Sequence, residues 1–189
     1  MKNYKILLAS SSPRRQEILK DANIDFSIVK LLNNDESFPN TVFRENIPIF
    51  IAQKKSQQYS DLKKNEVLIT ADTIVWIDNK VLGKPNSFED AFYMLKLLSN
   101  REHFVFTGVC LRTLNKEKTF FAETIVKFAK ISNNDIKFYI ENFKPYDKAG
   151  AYGIQEWIGK IAVESISGSF YNVMGLPIQK LIKELKYFK

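Results

Sequence analysis

The feature that most constrains this chain is a nearly unbroken apolar run, Val67 to Ile77, with one acid, Asp72, inside it. Val67-Leu68-Ile69 and Ile74-Val75-Trp76-Ile77 read as one long, buried strand region. A carboxylate within it is costly unless backbone N–H groups satisfy it, a cation pairs with it, or it carries chemistry. The fold around it must therefore supply a partner for that charge.

Strand and helix signals alternate around this run. Ile6-Leu7-Leu8 reads as a short strand, followed by Ala9-Ser10-Ser11-Ser12-Pro13-Arg14-Arg15. Ser12 fits an N-cap and Pro13 the first helical position, so a helix is expected from Ser12 to about Ala22. Its exposed N–H groups and dipole make that turn a natural anion site. The arginine pair strengthens this reading, because the chain has only five arginines against twenty-three lysines. Arginine's planar fork grips phosphate or a base edge in two-pronged fashion, as lysine cannot.

Pro48 opens a second expected helix carrying Lys54 and Lys55. Asp78-Asn79-Lys80 is a turn, and Leu82-Gly83-Lys84-Pro85 a tight loop with Lys84 at its tip. Ser87 with Asp90, and Ser132 with Asp135, are capping signatures before helical periodicities. Strands are expected at Phe104–Leu111, Phe120–Ile131 and Trp157–Ile166, and a last helix from Pro177. Pro145 stops the helix before it. This alternation, with some strand pairs joined as hairpins, predicts an α/β domain with a mixed, twisted sheet flanked by helices. No repeat or linker divides the 189 residues, so 1–189 is read as one domain.

Composition narrows the functional classes. The formal net charge is +7, yet the lysines are scattered, which favours a small anionic substrate over nucleic acid. No apolar run approaches the roughly 20 residues of a membrane span, and no signal-peptide pattern precedes the first strand. Cys110 alone cannot form an intramolecular disulfide, which fits a cytoplasmic protein. His103 is the sole histidine. A Ser–His triad through it is formally open, although no Gly-x-Ser-x-Gly elbow is present. No Gly-x-x-x-x-Gly-Lys-Ser/Thr is present either, so Gly83-Lys84 is not a P-loop. In Lys148-Ala149-Gly150-Ala151-Tyr152-Gly153-Ile154-Gln155, small residues permit close backbone approach. Gln155 carries both a donor and an acceptor suited to a nucleobase edge.

Taken in order, Ser10–Arg15, Asp35-Glu36-Ser37, Ala52–Lys55, Ala71-Asp72-Thr73, Gly83-Lys84-Pro85, Thr107-Gly108-Val109, Lys148–Gln155 and Tyr171–Pro177 closely resemble the Maf family of nucleotide pyrophosphatases. The resemblance spans nearly the whole chain. It departs from the family at Glu156-Trp157, where small residues are usual, and thins between Leu31 and Arg44.

The resemblance implies an inosine-triphosphatase-like (Maf/Ham1-like) fold with a cleft between two lobes. It also implies hydrolysis of nucleoside triphosphates to monophosphate and pyrophosphate with Mg²⁺ or Mn²⁺. Asp72 would then accept the proton of the attacking water. Arg14, Thr73 and Gln155 would set a dTTP/UTP preference. Ser10, Ser12, Arg15, Lys84 and either Lys54 or Lys55, with spacing favouring Lys55, would meet phosphate. Glu36 and Asp72 would hold the metal, and the chain would pair as a homodimer. The competing readings are a purine or modified-nucleotide pyrophosphatase on the same fold, and a non-catalytic division or nucleic-acid-associated regulator.

Overall fold

A computed structural model describes residues 4–31 and 35–188. In chain order the elements are β1 (Lys5–Leu8), α1 (Pro13–Asp21), β2 (Phe26–Ile28), α2 (Asn46–Gln57), β3 (Glu66–Ile77), β4 (Lys80–Leu82), α3 (Phe88–Leu98), β5 (Glu102–Arg112), β6 (Glu117–Phe128) and α4 (Asn133–Phe143). A 3-10 turn at Ala149–Ala151, α5 (Trp157–Ala162), β7 (Val163–Ser167), α6 (Phe170–Met174) and α7 (Ile178–Tyr187) follow. The described residues group into two compact units. One gathers the described residues within 1–72, 107–122 and 175–189, and the other Thr73–Phe106 and Glu123–Met174. Strands β3, β5 and β6 each contribute one stretch to either unit.

In the first unit β1 lies between β2 and β3 and pairs in parallel with both, so that Leu8 meets Ile28 on one side and Ile69 on the other. Parallel neighbours require crossovers, and α1 makes the one from β1 to β2. Leu8, Leu19, Leu68, Ile69 and Ala52 are fully buried. Helix α2 is fixed in three ways. Thr70 Oγ1 donates to Ala52 O at 2.6 Å. Arg112 of β5 donates to Ser56 Oγ at 2.9 Å and Ser56 O at 2.6 Å, satisfying carbonyls at the helix C-terminus. At Gly108 an added Cβ would lie 2.3 Å from the backbone nitrogen of Ile49, so helix and strand touch backbone to backbone. That closeness holds Lys54 and Lys55 on a fixed helix.

In the second unit β3 turns through Asp78 and Asn79, both at positive φ, into antiparallel β4 with Ile77 opposite Lys80. This is a two-residue hairpin of the twist that suits paired strands. Ser87 accepts from Asp90 N and Ser132 from Asp135 N, each at 3.1 Å, as the capping signatures predict. Ala91, Leu95 and Leu98 of α3 and Ile136, Tyr139 and Ile140 of α4 join Val75, Val105, Val126, Phe128 and Tyr152 in one core.

One strand expectation is corrected. Trp157–Ile166 is not continuous strand: Trp157–Ala162 is helical, and β7 begins at Val163, antiparallel to β6. Ile158 and Ala162, four apart, are buried together, which is helical rather than alternating spacing. Elsewhere the expected elements form, with β6 running Glu117–Phe128 rather than Phe120–Ile131.

His103 is fully buried on β5. Its Nε2 lies 2.8 Å from Tyr152 Oη and its ring meets Phe128 edge-on at 5.0 Å, so it has no serine to activate. Burial lowers its pKa to about 3. A depressed pKa stabilises the fold above the ordinary value near 6.5, and that stability is lost as pH falls from there toward 3. Unfolding free energy should therefore drop across this window with up to one proton of extra slope, about 1.4 kcal/mol per pH unit. His103→Gln should flatten that part of a pH series of urea denaturations.

Candidate active site

In the first unit the side chains that the sequence singled out converge on Asp72. It is 6 % exposed and lies on β3, where it is the last residue of that strand assigned to this unit. Lys55 is 5 % exposed, and its Nζ bonds Asp72 Oδ1 at 2.8 Å and Glu36 Oε1 at 2.9 Å. One ammonium thus bridges two carboxylates. Lys55 can do this because it occupies the buried face of α2, one position on from Lys54. Lys54 serves the adjacent acid instead: it bonds Asp35 Oδ2 at 2.6 Å and Ser37 O at 3.0 Å. Asp35 also accepts from Ser37 N, and these bonds hold its carboxyl well below the usual carboxylate range. Two successive lysines therefore fasten two successive acids, and Lys55 is the one that reaches Asp72.

Arg15 works largely as a pin. Its Nε donates to Gly175 O at 2.8 Å, and its Nη1 to Ala71 O at 2.8 Å and Ser10 Oγ at 3.4 Å. It ties together the turn after β1, the residue before Asp72 and the approach to α7. Ser10 Oγ also accepts from Ser12 N at 3.2 Å, shaping the turn. Ser12 holds the N-cap position in extended conformation, but its side chain makes no cap hydrogen bond. The start of α1 thus lacks the side-chain cap that Ser12 could have supplied. Arg14 is half-buried on the same first turn and adds positive charge beside Arg15. Burial pushes the Asp72 carboxyl up from its ordinary range, against the opposing pull of Lys55 and Arg15. A carboxylate so placed is better able to hold a proton.

Thr73, Lys84 and Gln155 belong to the second unit. Thr73 follows Asp72 directly on β3. Lys84 is exposed on the loop after β4, and Gly83 O on that loop accepts from Gly150 N at 3.0 Å. The Lys84 loop is thereby joined to the segment that carries Gln155. Gly150 has φ +66°, and a Cβ there would lie 2.8 Å from a Val75 methyl, so only glycine suits that junction. Gln155 Oε1 is buried and accepts no hydrogen bond among the described residues. An unpaired buried acceptor costs about 1–3 kcal/mol, so this oxygen calls for a donor from outside the chain.

Sequence reasoning missed the support of that glutamine. Tyr139 reads as a core position of α4 from its spacing, but its hydroxyl accepts from Gly153 N at 3.1 Å and donates to Glu156 Oε2. A buried tyrosine on an apolar face needs a partner for its hydroxyl, and that need was the available signal.

Whether a divalent cation fits can be judged from the donors. Asp72 and Glu36 offer hard carboxylate oxygens on either side of one cation position, now taken by an ammonium. No cluster of three or more metal-ligating side chains occurs among the described residues. One or two carboxylates plus substrate phosphate oxygens are the usual holders of Mg²⁺. The residues fit a metal that arrives with a phosphate-bearing substrate.

Comparison with known proteins identifies the family. A family model described as "Maf-like protein" matches residues 5–188, and the chain belongs to that family. A dTTP/UTP pyrophosphatase of Parabacteroides distasonis is 51% identical over 189 residues, covering 100% of this chain and 98% of that protein. Another from Bacteroides fragilis is 53% identical over 184 residues, covering 97% and 95%. One from Porphyromonas gingivalis is 46% identical, covering 100% and 96%. Among solved structures, a HAM1 protein from Coxiella burnetii shares the fold, with TM-score 0.53 at 13% identity over 97% of this chain and 99% of that one.

Removing the shared ammonium should expose how much it carries. Lys55→Met leaves Asp72 buried without its closest cation, and breaking a buried pair costs about 3–5 kcal/mol. The loss should be larger at pH 8 than at pH 4. Burial already raises the Asp72 pKa and loss of Lys55 raises it further, so as pH falls the folded variant takes up a proton and the uncompensated charge disappears. Denaturant titrations at the two pH values check this.

Proposed function

We propose that residues 1–189 act as one domain that hydrolyses dTTP and UTP to the nucleoside monophosphate and pyrophosphate in the cytoplasm. The observation that carries this reading is Asp72: a carboxylate 6 % exposed, held by Lys55 beside Arg15 and raised by burial toward proton affinity. It is supported by relatives of about half-identical sequence that bear the name dTTP/UTP pyrophosphatase. No helix among the described residues is long and apolar enough to cross a membrane.

Hydrolysis between the α- and β-phosphates adds one water across the linkage. One phosphorus gains the hydroxyl, the bridging oxygen leaves with the other, and a proton must go elsewhere. Lys55 engages Asp72 Oδ1, which leaves Oδ2 to orient the water and take that proton. The Ser10–Ser12 turn and the start of α1 offer N–H donors to phosphate oxygens, while Arg15, Lys55 and Lys84 offset their charge. Asp72 and Glu36 would hold Mg²⁺ or Mn²⁺, which when bound neutralises phosphate charge. Base recognition falls to Arg14, Thr73 and Gln155. Arg14 can only donate, which suits thymine and uracil carbonyls. The unpaired Gln155 Oε1 suits their N3–H. Asp72 and Thr73 are consecutive residues, so β3 passes from the reacting group to the base-reading group in one step.

Asp72→Asn should lower kcat for dTTP and UTP by about 10²–10⁴-fold while the protein stays folded. GTP and ATP should be poorer substrates of the wild type by about 10²-fold or more. Pyrophosphate release across a triphosphate panel, with Mg²⁺, Mn²⁺ or chelator, checks both. Near-normal turnover by the variant, or equal use of GTP and dTTP, would contradict the assignment.

A further inference from the structure

Gln155 sits third in a four-residue turn that its neighbours hold unusually firmly. Glu156 N donates to Gly153 O at 3.0 Å and closes the turn. The Glu156 carboxylate is taken at both oxygens: Oε1 lies 3.1 Å from Lys148 Nζ, and Oε2 accepts the Tyr139 hydroxyl. That hydroxyl in turn accepts from Gly153 N at 3.1 Å, so one tyrosine grips the first and last residues of the turn. Lys148 is 7 % exposed and is also paired with Asp147 at 2.7 Å. A Cβ at Gly153 would lie 2.8 Å from Glu156 Cδ, and one at Gly159 only 1.8 Å from Ile154 O. The turn is thus packed from the α4 side and from the first turn of α5. Inside it the one side-chain polar atom left buried and unpartnered is Gln155 Oε1.

We propose that Glu156, gripped by Tyr139 and Lys148, is a positioning residue that presets the Gln155 amide with its acceptor toward an N–H donor of the base. It thereby sets selectivity among pyrimidines of equal size. The inference rests on the reading above that Gln155 meets the base. A fixed acceptor favours uracil or thymine, whose N3 carries a proton, and disfavours cytosine, whose N3 is itself an acceptor. A loosely held amide would turn to offer its NH₂ group to cytosine instead, and the distinction would fade. Burial and the bond to Glu156 also raise the Tyr139 pKa, so the tyrosine stays a donor across the working pH range.

The test compares kcat/KM for UTP and CTP in one preparation of each protein, so the ratio does not depend on the fraction of active enzyme. Glu156→Gln keeps the side chain's volume, and Tyr139→Phe removes only the hydroxyl. Each should narrow the UTP:CTP preference by about tenfold, through a raised KM for UTP with kcat within about twofold. In a Gln155→Ala background the same changes should leave the ratio where Gln155→Ala alone puts it, because they act through that amide. An unchanged ratio in both single variants, or equal further loss in the Gln155→Ala background, would overturn the inference while leaving the pyrophosphatase reading intact. Absence of pyrophosphate release from UTP by the wild type would instead overturn the underlying reading, and the inference with it.

Discussion

The interaction on which the rest depends is the shared ammonium of Lys55 between Asp72 and Glu36. Asp72 and Lys55 are withdrawn far from water while Glu36 is only half-buried; a buried carboxylate–lysine pair is expensive to desolvate, and replacement by apolar side chains would commonly be neutral or stabilising. The first unit nonetheless devotes much of its architecture to the arrangement. Arg112 secures the end of α2, Gly108 lets that helix meet β5 backbone to backbone, and Thr70 ties its middle to β3. Arg15 then anchors Ala71, the residue before Asp72, and Gly175, before α7, through hydrogen bonds to their backbone carbonyls. A centre rigidly built and costly to keep is the pattern expected where charge must be poised for chemistry rather than for stability.

The second unit solves a different problem with the same means. There the held group is an uncharged amide. The surrounding structure spends an ion pair, a tyrosine hydroxyl and two glycines on the turn that bears it. Leaving Gln155 Oε1 buried without a donor is a second local cost that folding alone does not explain. The proposed phosphate-handling and base-reading groups thus stand on separately stabilised frameworks, and the chain passes from the one unit to the other between Asp72 and Thr73 of β3.

Much of this was legible from sequence where a local signal has a single physical meaning. Ser87 and Ser132 announced their helices through hydroxyl caps. Asp78-Asn79-Lys80 announced a turn, and Asp78 and Asn79 take it up at positive φ. Asp72 stood out because an acid within an apolar strand demands a partner. The identity of that partner was less accessible. Lys54 and Lys55 are adjacent, and only the face of α2 turned to the core separates a surface clasp on Asp35 from the bond to Asp72. Trp157–Ile166 misled because a short apolar stretch fits either period, and Gly159 packs against the Ile154 carbonyl for reasons invisible in one dimension. The Tyr139–Glu156–Lys148 network joins residues up to 17 positions apart, and no local pattern marks it.

A crystal structure with the non-hydrolysable α,β-imido analogue of UTP and Mg²⁺ examines the central claim most directly. The expected result places phosphate oxygens about 3 Å from Lys55 Nζ, the imido bridge beside Asp72, and the uracil N3–H on Gln155 Oε1. A triphosphate bound away from residue 72, with Lys55 still clasping both carboxylates and Gln155 still unpaired, would contradict it.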